Sequence, residues 1–232
     1  MNGTQSSHIT HIVVAAGNGS RFGGDIPKQF QMLNGRPVLM HCIEALRTAT
    51  PGAGIILVLS QIHRDLWLDL CREHHFKTPT SVTGGATRWE SVRNALVTLP
   101  EPDAGDIVTV HDGARPLVSP RLVHDVVSAC RDHSGAIPAI AVTDSIREVN
   151  ADGSSTTLDR SRLRAVQTPQ AFRAVQLMEA YRLPYRDTFT DDASVMTAAG
   201  FTDIVLTNGD PSNIKITRPL DIAIAELYMR GI

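Results

Sequence analysis

The chain has 232 residues, 42% of them hydrophobic and 20% charged, with a formal charge of −2. At this length roughly 70–75% of the unfolded surface is buried on folding, so one α/β domain spanning 1–232 needs no disulfide or metal staple. Near-neutral charge, dispersed Lys and Arg, and the lack of a bilayer-length apolar run give no reason to expect a nucleic-acid or membrane partner.

The N-terminal MNGTQSSH is polar, without the apolar core of a signal peptide, and a reducing cytoplasm is the expected location. His11 to Val14 read as the first buried strand of a parallel sheet, residues 11–15. The stretch AAGNGSRFGGDIPKQF follows, residues 15–30. Gly17, Gly19, Gly23 and Gly24 let the backbone approach a ligand closely, and Arg21 and Lys28 bring fixed positive charge to the same loop. Phe22 occupies the third glycine position of the dinucleotide fingerprint, and no Gly-Lys-Ser/Thr closes a Walker A loop. Pro27 fixes its own φ and restricts Ile26, which stiffens the approach to Lys28. The loop is read as one that holds a polyphosphate and steadies the charge that develops when a phosphorus is attacked. The alternative is a plain strand-to-helix turn with solvated charges. It suits a bare Gly-x-Gly, but not a basic residue inside a glycine cluster followed by Pro-Lys.

A helix is expected at 37–49, a buried strand at 54–60, a helix near 62–75 and a short strand at 80–83. Gly84-Gly85-Ala86-Thr87-Arg88-Trp89-Glu90-Ser91 then enters a helix at 87–98. Its backbone groups and Ser91 are candidates to read a base edge or a phosphate, whereas a glycine turn capped by Thr87 leaves Arg88 unexplained. DIVTVHD at 106–112 reads as a strand, followed by Gly113-Ala114-Arg115-Pro116. A carboxylate such as Asp112 at a strand end suits Mg2+ or a substrate hydroxyl, the alternatives being a turn residue for Asp112 and a salt-bridge partner for Arg115. Ser119 caps and Pro120 opens a helix to about 132. The alternation implies βαβ units and a mostly parallel, Rossmann-like sheet flanked by helices.

Residues 137–168 break the pattern. AIPAIAVTDSIREV has strand chemistry, Asp152-Gly153 marks a tight turn, and TTLDRSRLRAVQT reads extended again. A lone hairpin is marginal in water, so this arm is expected to pack against a second copy of the chain, in a homodimer. Arg160 on it is either an interface ion pair or a phosphate ligand reaching into the neighbouring subunit. Helices are expected at 173–182, 191–199 and 217–230, with a strand at 203–206. Thr190-Asp191-Asp192-Ala193-Ser194 reads equally as a helix cap or a ligand loop. Thr217 is expected to cap the last helix. Lys215 just before it puts like charge near the positive dipole end, which argues for an anionic ligand beside it. Cys42, Cys71 and Cys130 match no metal spacing and sit among apolar neighbours, so buried thiols are expected. His74-His75 lacks metal-spaced partners and reads as surface.

Taken in order, AAGNGSRFG, PKQF, GGATRWESV, VHDGARP, the Asp159-Arg160 pair, QTPQAF, TDDAS and NIKITRP resemble the 2-C-methyl-D-erythritol 4-phosphate cytidylyltransferase family nearly end to end. The resemblance implies a nucleotidyltransferase fold, CTP bound with Mg2+ held mainly by its own phosphates, and attack on its α-phosphorus by a sugar-alcohol phosphate with loss of pyrophosphate. It further implies that Arg21 and Lys28 stabilise the transition state and that Lys215, with Arg160 from a partner subunit, positions the attacking phosphate. Asp112, Arg115, Ser145, Thr168 and Thr190 would hold the sugar alcohol. Ala15, Ala16, Gly17, Gly19, Gly85, Arg88, Ser91 and Asp112 would hold the nucleotide. Ser145 stands where the family pattern suggests threonine, and Ser212 where some members carry aspartate. The rivals are a ribitol-5-phosphate cytidylyltransferase, which shares the loop, PKQF and the final lysine motif, and a catalytically silent nucleotide-binding regulator. The HDGARP form favours the methylerythritol enzyme, and the full set of basic residues disfavours the regulator.

Overall fold

The computed structural model describes residues 7–17 and 26–231, so Arg21 and Gly19 lie outside the described residues. Its strands are β1 (Ile9–Ala15), β2 (Met32–Leu33), β3 (Arg36–Pro37), β4 (Gly54–Leu59), β5 (Thr80–Thr83), β6 (Ile107–Asp112), β7 (Gly135–Ala141), β8 (Ile146–Val149), β9 (Ser155–Leu158), β10 (Arg164–Val166), β11 (Gln170–Arg173) and β12 (Ile204–Asn208). The helices are α1 (Val38–Ala49), α2 (Arg64–Glu73), α3 (Arg88–Leu96), α4 (Pro120–Cys130), α5 (Ala174–Ala180), α6 (Asp192–Ala198) and α7 (Pro219–Met229).

Eight strands form the central sheet in the order β10-β7-β11-β6-β1-β4-β5, with β12 beside β7. The pairs β6-β1, β1-β4, β4-β5 and β7-β12 are parallel, whereas β11 runs antiparallel to both β6 and β7. The two-residue period of the strands divides the core. Val13, Ala15, Leu57 and Leu59 face α1, α2 and α4 through Leu39, Ile43, Trp67 and Val126. Ile12, Val58, Val108 and Val110 face α3, α5 and α6 through Trp89, Val92, Leu177 and Met196. Fully burying each such aliphatic side chain contributes about 1.5–3 kcal/mol, so both faces are firmly covered and the polar residues are left to the strand ends.

The three cysteines are buried and free, in α1, α2 and α4. Burial pushes the Cys71 thiol up to about 11 and the Cys130 thiol up to about 12. His75 is exposed, while His74 is half-buried.

Four local expectations are corrected. The helix expected from 173 starts at Ala174 instead, because Gln170–Arg173 is a strand that fills the slot between β6 and β7. The stretch after Gly153 is not continuously extended: a 3-10 turn at Arg160–Arg162 separates β9 from β10. The cap of α6 is Asp191, whose side chain accepts from Ser194 N–H, and not Thr190. Thr217 does not cap α7 either. The Asp221 carboxylate accepts from the Thr217 amide at 2.7 Å, the Thr217 hydroxyl at 2.8 Å and the Arg218 amide at 2.8 Å.

The arm has its own two-stranded sheet. β8 pairs with β9 from Ile146↔Leu158 to Val149↔Ser155 around a turn in which Gly153 takes φ +84°. Arg147 staples it by donating to the Ser155 hydroxyl at 2.7 Å and the Thr157 hydroxyl at 2.9 Å. Most of the hairpin is exposed, including Val149 at 73%.

Candidate active site

Strands β1, β5 and β6 end side by side with β4, and the loops leaving their carboxyl ends enclose a cavity of about 300 Å3. It is lined by Ala15, Ala16, Gly17, Lys28, Gly85, Arg88, Ser91, Asp112 and Lys215, among others. These nine were picked out from four separate stretches of sequence, and the fold brings them together. Ligands in open α/β sheets bind at this end.

The walls are held from behind. Gln29 is buried and donates its side-chain amide to the carbonyls of Ala15 at 2.8 Å and Gly17 at 3.0 Å, which fixes the start of the glycine loop. Thr87 and Glu90 form a capping box that sets the direction of α3. The Ser91 hydroxyl accepts from the Gly85 amide at 3.1 Å and donates to the Thr87 carbonyl at 2.9 Å, so it shapes this loop as well as facing the cavity. A side chain at position 84 would place its Cβ 2.3 Å from that of Ala16. Glycine there is required for the two loops to lie against each other.

Asp112 is the electrostatic centre. Its carboxylate lies 2.9 Å from Lys215 Nζ, 3.4 Å from Arg115 Nε and 3.7 Å from Arg88 Nε. Burial alone would raise its pKa. Lys215, Arg88 and Arg115 outweigh burial and hold the carboxyl well below the usual range, so it stays ionised. Arg88 has a second anion: its Nη2 lies 2.7 Å from Asp192, which is fully buried and also accepts from the Tyr181 hydroxyl at 2.6 Å. Burial would lower the Arg88 pKa, but Asp192 and Asp112 keep it firmly charged. Among the described residues Arg88, Arg115 and Lys215 thus face Asp112 and Asp192, an excess of positive charge at a cavity that Lys28 also lines. That balance suits a polyanion.

The pairing revises the reading of Lys215. Its anionic neighbour within the chain is Asp112, and α7 starts only at Pro219, so the argument from the helix dipole is replaced by a direct ion pair. Arg88, unexplained as a loop residue, is accounted for by Asp192. Asp112 is neither a turn nor a cap residue but the last residue of β6.

The remaining candidates among the described residues do not line the cavity. Arg115 touches Asp112 and donates to the Asn213 carbonyl at 2.7 Å. Thr168 is buried, and its hydroxyl bonds inside the protein. Thr190 is exposed, with its amide donating to the Ser194 hydroxyl at 3.1 Å. Ser145 and Arg160 lie on the exposed arm region, where Arg160 donates to the Thr143 carbonyl. Gln29 and Asp192 escaped the sequence reading as functional residues. Their signals were a second polar residue beside Lys28 and a second acid where one cap suffices.

A larger cavity, about 620 Å3, opens at the amino end of the same strands, lined by Glu101, Asp103, Asp106 and no Lys or Arg. The sign of its charge excludes it as a polyphosphate site. Among the described residues no group of three or more His, Cys, Asp or Glu could hold a metal ion, and no helix is long and apolar enough to cross a membrane.

Residues 9–231 match the family model described as 2-C-methyl-D-erythritol 4-phosphate cytidylyltransferase. The enzyme of that name from Porphyromonas gingivalis is 44% identical over 223 residues, spanning 94% of this chain and 96% of that protein. The one from Azobacteroides pseudotrichonymphae is 41% identical over 216 residues, spanning 93% and 96%. The crystal structure of 4-diphosphocytidyl-2C-methyl-D-erythritol synthase from Anaerococcus prevotii superposes with a TM-score of 0.81 at 26% identity, covering 97% of this chain and 96% of that one.

Proposed function

This chain belongs to the 2-C-methyl-D-erythritol 4-phosphate cytidylyltransferase family, and from that premise we propose which residues carry the reaction. The enzyme transfers a cytidylyl group from CTP to 2-C-methyl-D-erythritol 4-phosphate. An oxygen of the sugar-alcohol phosphate bonds to the α-phosphorus in line, the bond from that phosphorus to the β-phosphate breaks, and pyrophosphate leaves. Such a step needs positioning and charge neutralisation more than covalent help from protein.

Lys28 and Arg21 neutralise the charge that grows on the α-phosphate. The backbone at Ala15, Ala16, Gly17, Gly19 and Gly85, with Ser91 and Arg88, holds the nucleotide. Asp112 takes the hydroxyls of the sugar alcohol, with Arg115 and Thr190 at its edge. Lys215 positions the attacking phosphate. What supports this reading is the convergence of Lys28, Arg88, Asp112 and Lys215 on one cavity with excess positive charge.

Mg2+ is assigned to the CTP phosphates. Among the described residues lining the cavity Asp112 is the one carboxylate and already faces three cations, so these side chains do not make a metal site of their own. Bound with CTP, the ion would screen the triphosphate and assist departure of pyrophosphate.

A homodimer completes the site. The hairpin is largely exposed, and a lone hairpin is marginal in water, so a second subunit is its natural cover. Arg160 and Ser145 then reach the neighbouring cavity. Mixing Arg160→Ala with Lys28→Ala protein should restore activity that neither has alone, and persistent inactivity of the mixture would contradict a site shared in trans. A reducing cytoplasm suits three buried free thiols.

The reaction is tested by pyrophosphate release from purified protein with CTP and Mg2+, offering each sugar phosphate in turn. Release with 2-C-methyl-D-erythritol 4-phosphate is expected. Release only with ribitol 5-phosphate would overturn the substrate assignment, and none with either would favour a silent binding protein.

A further inference from the structure

We propose that His111 is a positioning residue for Asp112 and Arg115, acting as the neutral tautomer protonated at Nε2 and transmitting its hold to Asp112 through Thr168. The functional part of this inference rests on the assignment of Asp112 and Arg115 to the sugar-alcohol phosphate.

His111 is fully buried and precedes Asp112 at the end of β6. Its two ring nitrogens have different partners. Nε2 lies 3.1 Å from the Arg115 carbonyl, which can only accept, so Nε2 carries the hydrogen. Nδ1 lies 2.9 Å from the Thr168 hydroxyl. That hydroxyl accepts from the Asp112 amide at 3.0 Å, leaving its own hydrogen to point at Nδ1. With the one ring hydrogen of a neutral imidazole on Nε2, Nδ1 is bare and accepts the hydroxyl hydrogen. Protonating Nδ1 would set a ring N–H against the Thr168 hydroxyl and turn the hydroxyl hydrogen away from its acceptor.

The contacts continue into a closed ring. Arg115 Nη1 donates to the Asn213 carbonyl at 2.7 Å. Asn213 Nδ2 donates to the Thr168 carbonyl at 2.8 Å, and Thr168 returns to His111. Asn213, also fully buried, stands two residues before Lys215. The ring thus ties together the three stretches that carry Asp112, Arg115 and Lys215. Thr168 turns from a substrate contact into the link between His111 and the Asp112 backbone. Buried hydrogen-bond networks of this kind hold their members in one geometry, and in this ring Asn213 Oδ1 is left without a partner.

One-sided replacements separate the two arms of His111. In His111→Gln the side-chain amide can still donate to the Arg115 carbonyl, but the Thr168 hydroxyl loses its acceptor. Thr168→Val removes that bond from the other side, together with the acceptor of the Asp112 amide. Each should raise KM for the sugar-alcohol phosphate about tenfold while KM for CTP stays within about twofold. The double variant should be no worse than Thr168→Val alone, because that replacement already removes the bond to His111. Thr168→Ser should restore the wild-type KM.

Nitrogen-15 NMR of the full-length protein supplies a readout independent of turnover. The His111 ring, assigned by the signal missing in His111→Gln or through its coupling to the Thr168 hydroxyl region, should be neutral and protonated at Nε2 at pH 7. An imidazolium or an Nδ1–H tautomer would overturn the proposal. So would a wild-type KM in Thr168→Val, or an equal rise in both KM values. If wild-type protein fails to turn over the methylerythritol substrate, the functional assignment falls, while the tautomer measurement still decides the ring. Should His111→Gln not fold, the Thr168→Val and Thr168→Ser pair carries the kinetic test.

Discussion

Two buried histidines on one face of the sheet, His11 opposite Thr109 and His111 opposite Val13 in the β1–β6 pairing, face different ends of the sheet and do different work. His11 in β1 lies between the Thr109 hydroxyl at 2.6 Å and the Thr50 hydroxyl at 2.5 Å, close to the acid-lined cavity of the amino end. His111 in β6 lies between the Thr168 hydroxyl and the Arg115 carbonyl, against the ion cluster of the carboxyl end. Burial is the largest influence on both and holds each imidazole down to about 4. Neither burial nor neutrality therefore marks a residue as functional. The difference is in what is held. His11 steadies two hydroxyls, and His111 steadies the residues beside a carboxylate ringed by three cations.

The comparison is sharpened most by changing charge at the carboxyl end. Lys28→Ala should lower kcat about 10²–10³-fold, the loss typical when one group aimed at transition-state charge is removed. Thermal melting should stay close to wild type. A near-normal kcat would remove Lys28 from the mechanism.

Acid should act on both ends at once. Each histidine binds a proton more readily unfolded, near 6.5, than folded, at about 4. Their stabilisation is present above pH 6.5 and declines as pH falls toward 4, by about 3 kcal/mol each. Denaturant midpoints measured between pH 7 and pH 4 should fall accordingly, and a flat profile would show that the imidazoles are not held neutral.

Asp112→Asn removes the anion that Lys215, Arg88 and Arg115 share. A lost charged hydrogen bond is worth about 1.5–3 kcal/mol, so kcat/KM for the sugar-alcohol phosphate should drop about 10–100-fold. The smallest effect is expected at the amino end. His11→Gln should cost about 1–3 kcal/mol by leaving the Thr109 hydroxyl without its acceptor, lowering the melting temperature by several degrees. Its kcat and both KM values should match wild type. A kinetic defect there would break the division between the two ends.

Much of this arrangement was legible in the sequence. The helix expected at 37–49 and the strand expected at 80–83 are found as Val38–Ala49 and Thr80–Thr83, because each presents a clean periodicity bounded by Pro or Gly. Gln170–Arg173 was not legible as a strand: it has four residues and runs straight into α5. Its identity comes from β6 and β7 on either side. The same limit applied at the site. Glycines and charges clustered after strands announce a ligand-binding end. Which charge meets which depends on contacts such as Arg88 with Asp192, 104 residues apart, and Arg115 with Asn213, 98 apart. Local pattern carries no information about such pairs. Arg88's need for a partner was readable, but the partner was not.

The central claim is that the nucleotide binds at the carboxyl end of the sheet, and hydrogen–deuterium exchange with and without CTP and Mg2+ tests it most directly. The account predicts slowed exchange at 26–31 and 84–91, with no change at 50–54 and 99–106. Protection confined to 50–54 and 99–106 would contradict it.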